Sequence, residues 1–327
     1  MVKLVWDQCI EHISRAERIV VFPHVSADGD GLGSAFSIAL ALQKLGKDVT
    51  VALEETPERR SAFALPLDKV KYTIAPEMPE PGQDLSIAVD SSDRRRLASR
   101  ADLYFSASDT IKIDHHIEAD PFGNLNYVCP EWGACCEGIF QLLQYPYFGD
   151  ALKDKDIAAA LYCGITTDTG SFSYDNTTGY THETAGHLVD VLGSIADMEF
   201  RLFETRTAAQ VALLGRAFTK LEYACGGDIV FAFLTAEDFK NAGADYEDAN
   251  EVVAEIKAIE GVKLAVFARP SRTGDCMKAS LRSNCEFDAA AFALSQGGGG
   301  HEKAAGFDFH GEMEDLKKEI ISKWTES

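Results

Sequence analysis

The 327-residue sequence lacks long apolar runs, a secretory leader pattern and C-x-x-C cysteine pairs. Charge or glycine interrupts its apolar stretches well before the ~20 residues that a membrane-spanning helix needs, so we expect no transmembrane segment and no membrane partner. Acidic residues stand near the start of the chain, where a signal peptide would have its apolar core. The eight cysteines include no C-x-x-C pair, which favours reduced thiols over a disulfide framework and predicts a cytoplasmic location.

Basic charge is also scarce, with 31 Lys and Arg residues against 52 Asp and Glu residues and a formal net charge of −21. An electric field of this sign would repel long duplex DNA, so we expect no partner of that kind. If the substrate carries phosphate groups, it should be small, and cations should mediate its contact with the protein.

The apolar pattern predicts an α/β fold with a parallel sheet, because short apolar strands alternate with helical segments. The predicted strands are 19–22, 48–53, 85–89 and 111–113, and the predicted helices are the opening segment with Trp6, Cys9, Ile10 and Ile13, then 34–45, 134–144, 155–166 and 182–192. A long helical connection follows, and the pattern of strands and helices restarts after residue 227. We therefore expect a main domain over 1–186, a helical linker over 187–222 and a smaller α/β domain over 223–327.

Carboxylates and imidazoles recur in the segments that follow these strands. They are His24, Asp28 and Asp30 after the first strand, Asp90 after the third, Asp114-His115-His116 after the fourth, and Asp168 in a later element. Taken alone, each has an ordinary explanation as a polar loop, an exposed histidine pair, a helix cap or an Asx turn. Open α/β sheets bind their ligands at the carboxyl ends of the strands, however, so the repetition of one residue class there predicts a common site.

The chemistry of this set favours metal binding. As many as five carboxylates could not lie together without strong mutual repulsion, and two divalent cations would remove that repulsion. Imidazole and carboxylate ligands without thiolate suit Mn²⁺, with Mg²⁺, Fe²⁺ and Co²⁺ as alternatives. A two-metal site activates water and stabilises the oxygens of an in-line phosphoryl displacement, so the set predicts phosphoester hydrolysis.

A second group of residues lies near the C-terminus. Residues 297–300 are four glycines, which can bring backbone N–H groups close to an anion, and His301 follows them directly. Arg282, next to Ser283, is suited to bidentate phosphate binding. A flexible loop is the alternative explanation of the glycine run. The combination predicts substrate capture on the smaller domain, facing the metal site across an interdomain cleft.

Together these segments resemble the motifs of the DHH-family phosphoesterases. The motifs read, in order, His24-x-x-x-Asp28-x-Asp30-x-x-Gly33-Ser34, Val89-Asp90-Ser91-Ser92, Asp114-His115-His116 and Gly164-Ile165-x-x-Asp168-Thr169-Gly170-x-Phe172. The glycine run, with residues 281–283 before it and 304–306 after it, is similar to the glycine-rich motif of the DHH-associated C-terminal domain. The segments Phe122-Gly123-x-x-Asn126-Tyr127-Val128 and Asp175-Asn176-Thr177-Thr178 most resemble the oligoribonuclease and pAp phosphatase branch. Cys135-Cys136, however, stands where we would expect small hydroxylated residues.

The resemblance implies a role for each residue of the first group. The implied metal ligands are His24 and Asp28 for one Mn²⁺ ion, Asp30, His115 and Asp168 for the other, and Asp90 as the bridge between them. His116 would contact the substrate phosphate or assist proton transfer. Asp114 would fix the tautomer of His115 from behind. Asp90, Asp114 and His116 are thus the implied catalytic residues.

The resemblance also implies what the enzyme acts on. The implied substrate-binding residues, besides His116, are Arg282, Ser283, Gly298, Gly299, Gly300 and His301. The implied substrates are short single-stranded RNA, hydrolysed to nucleoside 5′-monophosphates, and pAp, hydrolysed to AMP and phosphate. Two alternatives stay open: a phosphodiesterase acting on cyclic dinucleotides or on linear products such as pApA, and a nucleotide-sensing binding module without turnover. A homodimer is implied only by analogy.

Overall fold

The structure is a computed structural model that describes residues 5–57, 59–117 and 120–326. The chain divides into two compact units, Met1–Thr205 and Arg206–Ser327. Within the described ranges, no helix combines the length and the apolar content that crossing a membrane requires.

The first unit is built on a parallel sheet. Its elements are α1 (Asp7–Arg15), β1 (Arg18–Phe22), α2 (Gly29–Lys44), β2 (Asp48–Leu53), α3 (Arg59–Ala62), β3 (Tyr72–Ile74), β4 (Leu85–Val89), α4 (Ala101–Phe105), β5 (Asp109–Asp114), β6 (Leu125–Val128), α5 (Cys135–Leu143), α6 (Lys155–Asp168), α7 (Gly179–Leu192) and α8 (Ala196–Glu199). The six strands are all parallel and lie in the order β3-β2-β1-β4-β5-β6.

Both faces of the central strands are buried, which explains their continuous apolar runs. Residues 19–22 of β1 and 85–89 of β4 are at most 1% exposed. Residues 29–42 of α2 are buried as well, because this helix packs against α5, α6 and the sheet. Parallel sheets require helices on both faces, so the prediction of a parallel α/β fold is confirmed.

The helix after β1 begins earlier than the sequence pattern predicts. The predicted start is residue 34, but α2 starts at Gly29. The side chain of Asp28 caps this helix, because its Oδ1 accepts hydrogen bonds from the backbone N–H groups of Asp30 and Gly31. Asp30 therefore lies in the first turn of a helix rather than in a loop.

The second unit contains a mixed sheet. Its elements are α9 (Ala208–Thr219), β7 (Glu222–Ala224), β8 (Ile229–Phe233), α10 (Ala236–Ala242), α11 (Val252–Lys257), β9 (Leu264–Pro270), β10 (Met277–Ser283), α12 (Ala289–Ser295), β11 (Gly299–His301), β12 (Ala304–Phe309) and α13 (Met313–Glu326). The strand order is β11-β12-β10-β9-β8-β7, with β8 and β9 parallel and the other pairs antiparallel. The prediction of a second, smaller α/β unit is confirmed, although the pattern predicts neither α10 nor α13.

The segment 187–222 is helical but interrupted. α7 ends at Leu192, where Gly193 adopts a φ of 81°, and a π-helical turn over Phe200–Glu204 follows α8. Within the first unit, Glu199 connects α8 to α6 and to the segment after it, because its carboxylate accepts hydrogen bonds from Tyr162 Oη at 2.9 Å and from Ser171 Oγ at 2.9 Å. The segment for which a long helical connection is predicted thus contains several short helices.

Glu137 on α5 is a buried carboxylate. Its side chain is 0% exposed, and hydrogen bonding from Thr181 and the backbone of Gly133 offsets only part of the cost of burying its charge. Burial raises the pKa of Glu137 to about 7. Because the pKa is higher in the folded chain than in the unfolded chain, Glu137 should lower stability progressively as the pH rises from about 4.5 to about 7.

We expect Glu137→Gln to stabilise the protein at pH 8 and to leave its stability at pH 4.5 nearly unchanged, because the substitution removes a charge that is unfavourable when buried. The full shift corresponds to up to about 3 kcal/mol in the free energy of unfolding at pH 8. Thermal unfolding between pH 4.5 and pH 8 measures the effect, with Glu183→Gln on the exposed face of α7 as the matched control. An equal loss of stability at both pH values would contradict the prediction.

Candidate metal centre

Three adjacent strands at the middle of the sheet bring the predicted residues together. β1, β4 and β5 are neighbours and parallel, so their carboxyl ends share one edge. His24 follows β1, Asp90 follows β4 and His115 follows β5. The structure brings these residues from separate strands together, as the distances between their side-chain atoms show.

Asp90 lies at the centre of this group. Its Oδ2 is 3.3 Å from His24 Nε2 and its Oδ1 is 3.5 Å from His115 Nε2, so each carboxylate oxygen faces a different imidazole. Its backbone has a φ of 52°, a conformation that aspartate adopts more readily than most residues. The backbone N–H of Asp90 donates to Ile113 O at 3.0 Å, which ties this turn to β5. Asp90 is 3% exposed and, contrary to the alternative explanation, does not cap a helix; Asp93 caps the following 3₁₀ turn.

Two groups of side chains surround the carboxylate of Asp90. In the first, His24 Nε2 is 3.6 Å from Asp28 Oδ1. In the second, His115 Nε2 is 3.8 Å from Asp30 Oδ2 and 3.6 Å from Asp168 Oδ2. The combinations His24–Asp28–Asp90 and Asp30–His115–Asp168 each place their potential ligand atoms within 4.8 Å of one another.

Asp30 is held in place by the start of α5. Its Oδ2 accepts a hydrogen bond from the backbone N–H of Cys135 at 2.6 Å, and its Oδ1 accepts one from that of Cys136 at 2.9 Å. Free N–H groups at a helix N-terminus stabilise an anion, so α5 orients this carboxylate while it is ionised. In the sequence, Cys135-Cys136 stands out only as a departure from the family pattern, because a backbone contact leaves no signal in residue types.

Asp168 is the last residue of α6 and is oriented by Asn176. The Asn176 Nδ2 donates to Gly133 O at 2.8 Å and to Asp168 O at 3.1 Å, and it lies 3.4 Å from Asp168 Oδ2. The amide therefore joins the end of α6 to the segment before α5. Asn176 was not among the predicted site residues.

Asp114 holds His116 rather than His115. The Oδ1 of Asp114 accepts a hydrogen bond from the backbone N–H of His115 at 2.9 Å and lies 2.7 Å from Nδ1 of the His116 ring. The ring Nδ1 of His115 instead faces Trp132 O at 3.3 Å. The expectation that Asp114 fixes the His115 tautomer is therefore wrong. β5 ends at Asp114, and the chain that leaves the strand brings the ring of the second histidine, rather than that of the first, to this carboxylate.

The charges in this group strongly perturb one another. Burial would lower the pKa values of His24 and His115, but neighbouring carboxylates outweigh it and raise these values to about 10 and about 11. Burial, reinforced by other carboxylates, raises the pKa of Asp168 to about 6 and that of Asp30 well above its usual range. For Asp90, burial acts in the same direction, but the two imidazoles outweigh it and lower the pKa. The group thus shares protons, which divalent cations would displace on binding.

The donor atoms fit divalent cations. His115 Nδ1 faces the carbonyl of Trp132, a contact that keeps the proton on Nδ1 and leaves Nε2 available to a metal. His24 Nδ1 lies 2.7 Å from Val25 O and 2.8 Å from Arg96 Nη2, and its Nε2 faces Asp90. Asp90 Oδ1 is buried and has no hydrogen-bond partner among the described residues. A Cβ on Gly31 would lie 3.2 Å from His24 Nε2 and 3.3 Å from Asp90 Oδ2, so glycine keeps this space open.

The predicted phosphate-binding residues lie on the sheet of the second unit. Ala304 of β12 pairs with Arg282 on one side and with His301 on the other, so these residues share one row of the sheet. The glycine run is not a free loop, because residues 299–301 form β11. Packing also explains why residue 298 is a glycine, since a Cβ there would lie 2.3 Å from a backbone oxygen of β12.

The other predicted substrate residues are partly accounted for by structural contacts. Gly300 has a φ of 145°, which favours glycine, and Gly299 pairs with β12. Ser283 Oγ donates to Cys285 O at 3.1 Å. Arg282 Nη1 donates to Leu281 O at 2.9 Å. The side chain of His301 lies outside the part of the chain that the structure describes. The roles of these residues in substrate binding stay predictions.

Comparison with known proteins yields two family matches that together extend over most of the chain. Residues 18–165 match the DHH family, N-terminal domain, and residues 226–326 match the DHHA1 domain. Among similar proteins, the bifunctional oligoribonuclease and PAP phosphatase NrnA of Thermus thermophilus is 32% identical, over 90% of this chain and 84% of that protein. The protein of the same name from Bacillus subtilis is 28% identical, over 91% of both.

The fold also has a relative among solved structures. The crystal structure of an exopolyphosphatase-related protein from Bacteroides fragilis has a TM-score of 0.87 and 24% sequence identity, and it covers 97% of this chain and 94% of that one. This likeness supports the two-unit α/β fold.

We expect Asp168→Asn to raise the thermal midpoint in chelator at pH 8 by a few degrees, because it relieves repulsion among the carboxylates. The same variant should gain less from added Mn²⁺ than the unaltered protein does, because a ligand has been lost. Differential scanning fluorimetry with and without Mn²⁺ measures both effects. Asp175→Asn is the matched control, since Asp175 is exposed in the adjacent segment. An equal Mn²⁺-induced shift in all three proteins would show that Asp168 binds no metal.

Proposed function

This chain belongs to the DHH family, with a DHHA1 domain in its second unit, and from that premise we propose that it hydrolyses short oligoribonucleotides and pAp with two divalent metal ions. It is a hydrolase of phosphoester bonds, as its family membership and its similarity to the NrnA proteins indicate. The proposed products are nucleoside 5′-monophosphates from oligoribonucleotides, and AMP and phosphate from pAp.

The division of the Asp90 carboxylate between two imidazoles carries this proposal. His24 and His115 face different oxygens of Asp90, at 3.3 Å and 3.5 Å. Asp28 completes one set of ligands, and Asp30 completes the other together with Asp168. Two bound divalent cations would supply Lewis-acid polarisation of the phosphate and a nucleophilic water near neutral pH. Mn²⁺ suits these ligands, with Mg²⁺, Fe²⁺ and Co²⁺ as alternatives.

The protein's own side chains position the phosphate and the proton transfers. The side chain of His116 is 40% exposed, while its Nδ1 lies 2.7 Å from the fully buried Asp114. Nε2 of His116 is thereby left to face a substrate phosphate or to transfer a proton to the leaving oxygen. Arg282 and His301 would bind a further phosphate of the substrate, and the adjacent glycines would let backbone N–H groups approach it.

The charge of the protein favours small substrates. With a net charge of −21, a long polyanion would be repelled over much of its length, whereas a dinucleotide or pAp meets only the local site. Eight unpaired cysteines support a reducing compartment, and we place the enzyme in the cytoplasm.

We expect dinucleotides and pAp to be hydrolysed faster than long single-stranded RNA, and excess chelator to abolish all turnover until Mn²⁺ is restored. A Mn²⁺-supplemented panel of dinucleotide, pAp, long RNA, pApA and cyclic di-AMP, with product identification by chromatography, measures these rates.

The outcomes of this panel separate the alternatives. Full activity in excess chelator would exclude the metal centre, and a strong preference for long RNA would exclude the small-substrate assignment. Fastest turnover of pApA or cyclic di-AMP would favour the phosphodiesterase alternative. Tight nucleotide binding without turnover in Mn²⁺ would favour a binding module.

We expect Asp90→Ala to lower kcat by more than about a hundredfold, because both groups of ligands share this carboxylate. Arg282→Ala should instead raise KM more than it lowers kcat, since its proposed contact is with a phosphate that does not react. Steady-state kinetics on pAp in saturating Mn²⁺ measures both, with circular dichroism to confirm folding. Equal and small losses in the two variants would refute the role given to Asp90.

A further inference from the structure

Lys112 is a fully buried lysine directly behind the histidine pair. It lies on β5, two residues before Asp114, so both side chains project from the same face of the sheet. Lys112 and Asp114 are each 0% exposed. A buried ammonium is unfavourable unless it is paired and hydrogen-bonded, so its contacts indicate what it does.

The ammonium group of Lys112 joins three segments. Its Nζ donates to Ser92 O at 2.8 Å and to Asp120 O at 2.8 Å, which accounts for two of its three protons. The same Nζ lies 3.3 Å from Asp114 Oδ2 and 4.8 Å from the centre of the Phe122 ring. Lys112 therefore connects the turn after Asp90, the end of β5 and the segment that follows the histidine pair.

The two oxygens of Asp114 have different surroundings. Oδ1 lies 2.7 Å from Nδ1 of His116 and also accepts the backbone N–H of His115 at 2.9 Å. Oδ2 has no hydrogen-bond partner among the described residues, and Lys112 is the cation within ion-pair distance of it. The carboxylate thus lies between a fixed positive charge on one side and the ring of His116 on the other.

This arrangement restrains the His116 ring. An ionised Asp114 whose Oδ2 faces Lys112 presents Oδ1 to the ring Nδ1 in one orientation, which keeps the proton on Nδ1 and turns Nε2 away from the carboxylate. Without the ammonium, Oδ2 would lose the positive charge that faces it, and Asp114 would be held on its Oδ1 side alone, by the backbone N–H of His115. The effect on His116 is transmitted through Asp114, whose Oδ1 lies 2.7 Å from the ring Nδ1.

We propose that Lys112 is a positioning residue of this site, which orients Asp114 and through it the imidazole of His116. The inference rests on the proposed function, because it assigns His116 to the reacting phosphate. Its consequence is that Lys112 supports turnover although its ammonium group contacts no predicted metal ligand.

A double-mutant cycle tests this role. Lys112→Met should lower kcat on pAp roughly ten- to a hundredfold with little change in KM, the range typical of residues that orient a functional histidine. In the background of Asp114→Asn, the same substitution should lower kcat less than about twofold, because the residue through which it acts has already been altered. Lys47→Met is the matched control, since Lys47 Nζ likewise contacts a carbonyl, Ser14 O at 3.0 Å, and a carboxylate, Glu17 Oε1 at 3.2 Å, but lies away from the site.

The outcomes distinguish positioning from support of the fold. The proposal is overturned if Lys112→Met lowers the thermal midpoint but leaves kcat unchanged. It is also overturned if the double variant lowers kcat by the full product of the reductions that Lys112→Met and Asp114→Asn cause separately. NMR of ¹⁵N-histidine-labelled protein gives a reading that does not need activity: His116 should lose its single Nδ1–H tautomer in Lys112→Met, and an unchanged spectrum would reject the proposal. Absence of turnover in the unaltered enzyme would instead reject the proposed function.

Discussion

Mutual repulsion among buried carboxylates is the constraint on which this structure depends. Asp30 and Asp90 are 1% and 3% exposed and converge with Asp168 on one edge of the sheet. The protein offsets part of this repulsion with imidazoles that face Asp90 and with the backbone N–H groups at the start of α5. These carboxylates repel one another when no metal is bound, and divalent cations would remove that repulsion. Metal binding should therefore raise both the stability and the activity of the protein.

The parallel sheet could be predicted because burial on both faces produces a distinct sequence signal. The runs over 19–22 and 85–89 are uninterrupted, whereas β3, with three residues, is too short to give a recognisable pattern. The start of α2 was placed too late because the glycines of its first turn suggest a loop, although the Asp28 cap stabilises the helix there. α13 was missed because most of its residues are polar, and its buried contact depends mainly on Leu316 and Ile320.

The composition of the metal centre was more predictable than its internal connections. Carboxylate and imidazole side chains after successive strands identify the members of the site, because strand direction alone brings them to one edge. Which carboxylate meets which imidazole depends on side-chain direction, and for that reason Asp114 was assigned to the wrong histidine. Contacts made by backbone atoms, such as those of Cys135 with Asp30, leave no pattern in the sequence.

Anomalous X-ray diffraction at the manganese absorption edge, on crystals grown with Mn²⁺, tests the metal centre most directly. We expect two peaks about 3.5–4 Å apart on either side of Asp90. One should contact His24 and Asp28, and the other should contact Asp30, His115 and Asp168. Manganese bound elsewhere in the protein, with no peak next to Asp90, would contradict the central claim that these side chains form one two-metal site.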